Sequence, residues 1–160
     1  YADRLVTRIA GNFKFFCYSN LVDDTEHFAL VKGNIVEEDE VLVRVQKLNY
    51  IKDLFQGVLS KNNQNEKDVS INRIMREMEN IKKGVIVIIK DNKGIFEWNN
   101  HKNENYNTDS QKFREYGVGA QILRDIGVRK MVLLTNSKRA IIGLQGFDLK
   151  IVGHKELRNE

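Results

Sequence analysis

The 160-residue chain has no proline, one cysteine and no long apolar run. Average usage would supply about eight prolines, so no X-Pro bond sets a turn and no proline-rich linker divides the chain. Cys17 alone cannot close an internal disulfide, which excludes a disulfide-stapled secreted scaffold and implies a reducing, cytoplasmic setting. A membrane span needs roughly 18 or more consecutive apolar residues; none is present, and no membrane role is expected. Charge of one sign is also scarce. Lys and Arg number 26 against 22 Asp and Glu, a formal net charge of +4 spread along the chain. Nucleic-acid surfaces cluster basic residues with interleaved aromatics, so no nucleic-acid partner is expected. The start at Tyr1, without Met or a secretory pattern, points to a part cut from a longer protein.

Several catalytic signatures are missing. There is no Gly-x-Ser-x-Gly elbow, no Walker loop and no dinucleotide fingerprint, and Gly117-Val118-Gly119 lacks the third glycine. That Gly-x-Gly reads instead as room for a helix to pack closely. His27, His101 and His154 are far apart, none with a ligand partner two to five residues on, and Cys17 stands alone. Zinc needs three or four thiolate or imidazole ligands, so these histidines read as surface or capping residues. The acidic runs Asp23-Asp24 and Glu37-Glu38-Asp39-Glu40 fall in turns and read as solvated loops.

What is present reads as one mixed α/β domain over residues 1–160. Residues 13–18, 27–35 and 41–46 are short, β-branched or aromatic segments, and Val41, Val43 and Val45 alternate as a half-buried strand requires. Residues 60–65 are polar and read as a loop. Ile71, Ile74, Met75, Met78 and Ile81 recur at spacings of three and four, which predicts a helix. Ser70 is its expected N-cap, Lys82 and Lys83 suit its carboxyl end, and Gly84 is expected to stop it in a left-handed conformation. Val85 to Ile89 form a continuous apolar run, the pattern of a strand covered on both faces. A turn at 91–94, a polar stretch at 99–105 and a helix over 111–125 ended by Gly127 follow. Then come a strand at 131–134, a short helix around 139–144 and a last strand at 149–152.

Among the polar residues, Arg44, Thr135 and Asn136 sit at or near the carboxyl ends of predicted strands, where open α/β sheets place ligands. Arg114 opens a predicted helix, where a cation opposes the dipole. An anionic ligand or a carboxylate partner would account for it; surface salt bridges are the alternative.

The segment Arg114-Glu115-Tyr116-Gly117-Val118-Gly119-Ala120-Gln121-Ile122-Leu123-Arg124-Asp125-Ile126-Gly127-Val128, followed by Leu133-Leu134-Thr135-Asn136, closely resembles GTP cyclohydrolase II. That family reads R-D-Y-G-I-G-A-Q-I-L-x-D-L-G-V and then L-L-T-N at the same spacing. Gly11-Asn12-Phe13, the run from His27 to Gly33, and Val41-Leu42-Val43-Arg44-Val45 resemble its G-x-F, H-x-A-L-V-x-G and V-L-V-R-V segments. The likeness runs from about Thr7 to His154. It implies a GTP cyclohydrolase II-like fold with a central mixed sheet flanked by helices. It also implies a dimer, and a family chemistry that uses GTP, zinc and magnesium, opens the guanine imidazole ring, and releases formate and pyrophosphate on the way to riboflavin.

By the same resemblance, Arg114 matches the arginine proposed to attack the α-phosphate, and Thr135 matches a nucleotide-contacting threonine. Arg44 and Arg139 are possible nucleotide-binding remnants. The family's three zinc cysteines, in contrast, are replaced by Asn49, Ser60 and Asn62. Neutral oxygens compete poorly for Zn²⁺, and without zinc no water is activated. The family's Q-E-G-R-G-I-G-L loop corresponds to the stretch from Asp91 to Trp98, which keeps only scraps of it, and Lys112 and Ala140 replace an aspartate and a basic residue. The expectation is a domain with no cofactor, inactive as a cyclohydrolase. It would support or regulate a fused 3,4-dihydroxy-2-butanone 4-phosphate synthase. Two alternatives stay open: a divergent enzyme with residual GTP binding or pyrophosphate release, and a nucleotide-sensing module.

Overall fold

The computed structural model describes residues 1–7, 9–21, 24–55, 69–90, 109–136, 144 and 147–157. Within them lie strands β1 (Ala2–Thr7), β2 (Gly11–Ser19), β3 (Glu26–Lys32) and β4 (Glu40–Lys47), then helices α1 (Tyr50–Phe55) and α2 (Ile71–Glu77). Strand β5 (Gly84–Ile89), helix α3 (Asp109–Ile126) and strands β6 (Lys130–Leu134) and β7 (Lys150–Lys155) complete the set. The strands form one sheet in the order β1-β2-β3-β5-β4-β6-β7. From β1 to β5 the neighbours are antiparallel; from β5 through β4 and β6 to β7 they are parallel. It is the mixed sheet with flanking helices that the resemblance implied.

The alternation in β4 sorts the core. Val41 and Val43 enter one apolar cluster with Ala120, Ile122 and Leu123 of α3. Leu42 enters the other with Ile74 of α2 and Met78, the residue that caps it. Every residue of β5 is buried, as its unbroken apolar run requires of a strand with helices over both faces. Gly119 explains the Gly-x-Gly of α3: a Cβ there would lie 3.1 Å from Val45 Cγ1, so the helix rests directly on β4. Gly127, with φ of +99°, follows the end of α3 as expected.

Around α2 the structure both upholds and revises the sequence reading. Ser70 caps the helix, its hydroxyl accepting from Arg73 N–H at 3.4 Å. The helix ends at Glu77, with Met78 still right-handed, and Gly84 opens β5. Gly84 has no positive φ; a Cβ on it would meet Met78 Sδ at 2.5 Å, so close packing and not a helix stop calls for glycine. Neither Lys82 nor Lys83 provides the expected cation at the carboxyl end. Lys32, from β3, donates to the carbonyls of Met78 (2.8 Å) and Glu79 (2.7 Å).

Lys83 instead binds Asp39 at 2.6 Å. This hydrogen bond, with a second from Val36 N–H, holds the Asp39 carboxyl below the usual carboxylate range. A depressed carboxylate stabilises the fold above its unfolded value, and that contribution fades as pH falls through the lower folded one. Asp39→Asn is therefore expected to be less stable than the parent at pH 7. The gap should close as pH drops below about 4, which urea unfolding at several pH values would read.

Two elements were missed from sequence. Strand β1 pairs along its whole length with β2, and α1 follows β4 directly. The predicted loop at 60–65, turn at 91–94 and polar stretch at 99–105 lie outside the described residues. Of the predicted helix at 139–144 only Leu144 is described; it is helical and buried.

Candidate functional site

Strand β4 lies between β5 and β6 and parallel to both. The chain leaves β5, runs through α3 and crosses β4 to reach β6, so the strand order reverses around β4. The carboxyl ends at such a switch point open a crevice in α/β sheets. Here that end carries Gln46, Lys47, Asn49, Thr135 and Asn136.

Arg44 stands two residues beyond Leu42 and therefore shares its α2 face of the sheet, opposite α3. Its guanidinium is turned into the protein. Nη1 donates to the Leu134 carbonyl at 2.9 Å, and Nη2 and Nε donate to Gln46 Oε1 at 2.6 and 3.1 Å. Gln46 is itself buried and donates to the Lys47 carbonyl at 3.1 Å. A half-buried guanidinium needs acceptors; these come from the protein's own chain.

Arg114 is exposed on α3, across the sheet from Arg44. Its neighbour Glu115 binds Lys47 Nζ at 2.9 Å, tying α3 to the end of β4. Thr135 is buried, and its N–H donates to the Lys155 carbonyl at 2.9 Å, prolonging the β6–β7 pairing. Asn136, a ligand candidate from sequence, is structural: its amide accepts from Leu157 N–H at 2.8 Å and donates to Leu157 O at 3.3 Å. The four predicted nucleotide-facing residues thus do not form one described pocket. Arg44 and Arg114 lie on opposite faces, Thr135 is buried in a strand extension, and Arg139 lies outside the described residues.

Asn49, which the resemblance sets at the family's first cysteine, is 7% exposed and precedes α1. Its N–H donates to Asp53 Oδ2 at 2.9 Å, while Asp53 N–H donates back to Asn49 O at 2.8 Å. Asp53 Oδ1 accepts from Ile71 N–H, the first residue of α2, at 2.8 Å. One carboxylate thus holds the amino-terminal ends of two helices, satisfying donors that helices leave open. Sequence reading passed over Asp53. The signal was there: an asparagine followed four residues later by an acid is a near-relative of the capping box.

His27 corrects another expectation. It is buried, not at the surface, and its Nδ1 accepts from Lys90 N–H at 3.2 Å, so the proton sits on Nε2. His154 is exposed in β7. Ser60, Asn62 and His101 lie outside the described residues. Among the described residues no three of His, Cys, Asp and Glu are grouped to hold a metal ion. At Asn49, the one of the three positions that is described, the side chain is a neutral amide, which does not fit zinc as a thiolate would. Tyr18, half-buried, donates to Asp125 Oδ2 at 2.9 Å; burial, and then that bond, push its phenol well above the ordinary range.

Over 154 residues the chain is 39% identical to the monofunctional riboflavin biosynthesis protein RIBA 2, chloroplastic, of Arabidopsis thaliana, covering 89% of this chain and 30% of that protein. Riboflavin biosynthesis protein RibBA of Bacillus cereus (strain AH187) is 34% identical over 158 residues, covering 89% of this chain and 38% of that one. The chain thus spans about a third of the length of these relatives. Its fold is also that of part of RibBX, a two-domain 3,4-dihydroxy-2-butanone 4-phosphate synthase from A. baumannii. That match has a TM-score of 0.62 at 24% identity and covers all of this chain and 39% of the other. The family profile described as GTP cyclohydrolase II matches residues 2–156, which takes in β1 as well as the span from Thr7 to His154 read from sequence, and the chain belongs to that family.

Proposed function

We propose that this chain is a GTP cyclohydrolase II-family domain in riboflavin biosynthesis that no longer opens the guanine ring and supports a fused 3,4-dihydroxy-2-butanone 4-phosphate synthase. The observation that carries the first half is the state of residue 49. Where the family places a thiolate, a neutral asparagine is buried and its backbone is closed by Asp53. Arg44 points the same way, its guanidinium being committed to Gln46 and Leu134. The second half is supported by the two-domain synthase whose part shares this fold and by the RibBA relative. Three of the relatives carry the word monofunctional in their names and three carry the word bifunctional, and the proposed loss of ring opening would set this chain with the first group. Support would act through self-association or by fixing the synthase's conformation. No described helix is long and apolar enough to cross a membrane, and we propose a cytoplasmic location, although the plant relatives are named chloroplastic.

The test uses the full-length protein with GTP, Mg²⁺ and Zn²⁺, followed by mass spectrometry. Intact GTP is expected, together with a fall in synthase activity or stability when this domain is deleted. Formate would overturn the loss of ring opening. Pyrophosphate without formate would favour a divergent enzyme centred on the exposed Arg114. Saturable GTP binding without product would favour a nucleotide sensor, and unchanged synthase activity after deletion would remove the supporting role.

A further inference from the structure

The last two residues of β4 belong to opposite faces of the sheet. Gln46 follows Leu42 and Arg44 on the α2 face and holds the Arg44 guanidinium there at 2.6 and 3.1 Å. Lys47 follows Val41, Val43 and Val45 on the α3 face, and its Nζ reaches Glu115 Oε1 at 2.9 Å. Helix docking sets that contact. Gly119 rests on Val45, and α3 runs back along β4, as a crossover between parallel strands requires. Four residues of helix cover about 6 Å, and two residues of strand cover about 6.6 Å. Glu115 is therefore carried over Lys47, at the carboxyl end of the strand where the order reverses.

Holding the helix does not require this pair. Ala120, Ile122 and Leu123 already bury α3 in the core, and a partly exposed ion pair contributes little to stability. The Lys47 and Glu115 side chains are 34% and 28% exposed, so a solute reaches both. A lysine thus stands where α/β sheets place ligands, and the group bound to it is an oxyanion. Arg44, nominated from sequence for such a role, lies on the other face of the sheet and is held by Leu134 and Gln46.

We propose that Lys47 is an anion-binding residue of this crevice and that Glu115 is its built-in competitor. The carboxylate holds Lys47 until a phosphate or pyrophosphate group displaces it. Both are oxyanions that accept charge-assisted hydrogen bonds from an ammonium, so one replaces the other without leaving the lysine charge unmatched. The displaced carboxylate swings out to water. Binding is weakened by the cost of breaking the pair, which keeps weak anions out. The inference rests on the reading above, in which the domain keeps the family fold without ring opening, and adds how its crevice is gated.

The test is isothermal titration calorimetry of the full-length protein with inorganic pyrophosphate. Glu115→Gln is expected to bind about tenfold more tightly than the parent, a coupling of ordinary size. Adding Lys47→Gln to that variant should abolish the gain. Glu38→Gln removes the same charge from an exposed position at the other end of β4 and should leave affinity unchanged. Rising KCl should shrink the gain, because the contact is reached by solvent. Urea unfolding should place Glu115→Gln close to the parent in stability, as a partly exposed pair requires. Equal affinity in the parent and Glu115→Gln overturns the competitor. A gain that survives Lys47→Gln, or that Glu38→Gln reproduces, overturns Lys47 as the binding residue. None of these readouts uses formate, so this inference and the loss of ring opening fail separately.

Discussion

Gly33→Ala is expected to lower the stability of the domain by about 3 kcal/mol, from roughly 1–3 kcal/mol of backbone strain together with a similar cost of overpacking. Gly33 follows β3 with φ of +79°, a region that suits glycine and strains alanine. The added methyl would also land on the Lys82 carbonyl, a backbone atom that cannot rotate away, and 3.3 Å from Lys83 Cγ. Gly11 offers the control. Its φ is +76°, yet nothing lies within 4 Å of a Cβ built there. Gly11→Ala should therefore show the conformational cost alone, about 1 kcal/mol. Thermal unfolding would separate the two, since each kcal/mol moves the midpoint by roughly 2–4 °C in a domain of this size. Equal losses at both positions would show that the carbonyl contact plays no part. The comparison also gives a physical reason for the glycine that ends the run from His27 to Gly33.

Asp53→Ala is expected to cost about 3 kcal/mol, because hydrogen bonds to a charged group contribute roughly 1.5–3 kcal/mol each and two are lost. Its carboxylate accepts from Asn49 N–H and Ile71 N–H. Asp53→Asn should recover little. One amide oxygen can accept one N–H, but the NH₂ group would face the second donor. Hydrogen exchange gives the most specific readout: the amides of Asn49 and Ile71 should lose protection first, with those of β5 unaffected. Added Zn²⁺ should not restore the stability of either variant. Restoration would mean that a metal fastens this region and that the carboxylate is secondary. The prediction bears on the proposed function, because Asp53 fixes the backbone of Asn49, the residue proposed to stand in place of a zinc cysteine.

Local patterns were legible wherever a short stretch of chain carried its own signal. The buried strand β5 showed in its five consecutive apolar residues, α2 in its spacing and in Ser70, and the end of α3 in Gly127. The alternation of Val41, Val43 and Val45 announced β4, and the family resemblance announced the sheet as a whole. Strand β1 was not legible. At an edge most of its side chains are exposed, and its sequence, Ala-Asp-Arg-Leu-Val-Thr, alternates too weakly to stand out.

What the sequence determined by itself was where strands and helices form and which family they belong to, because caps, periods of two and 3.6, and motif spacing are all short-range properties. Which polar group meets which was decided only by the tertiary structure. Lys32, not Lys82 or Lys83, reaches the carbonyls at the end of α2, because the antiparallel pairing of β3 with β5 brings it beside residues 78 and 79. Lys83 is drawn to Asp39, and Arg44 turns to a carbonyl ninety residues away, at Leu134. With 26 cationic and 22 anionic side chains available, no local rule chooses among partners. The choice is made by strand order and helix docking, which bring a few of them within the roughly 3 Å over which a hydrogen bond acts.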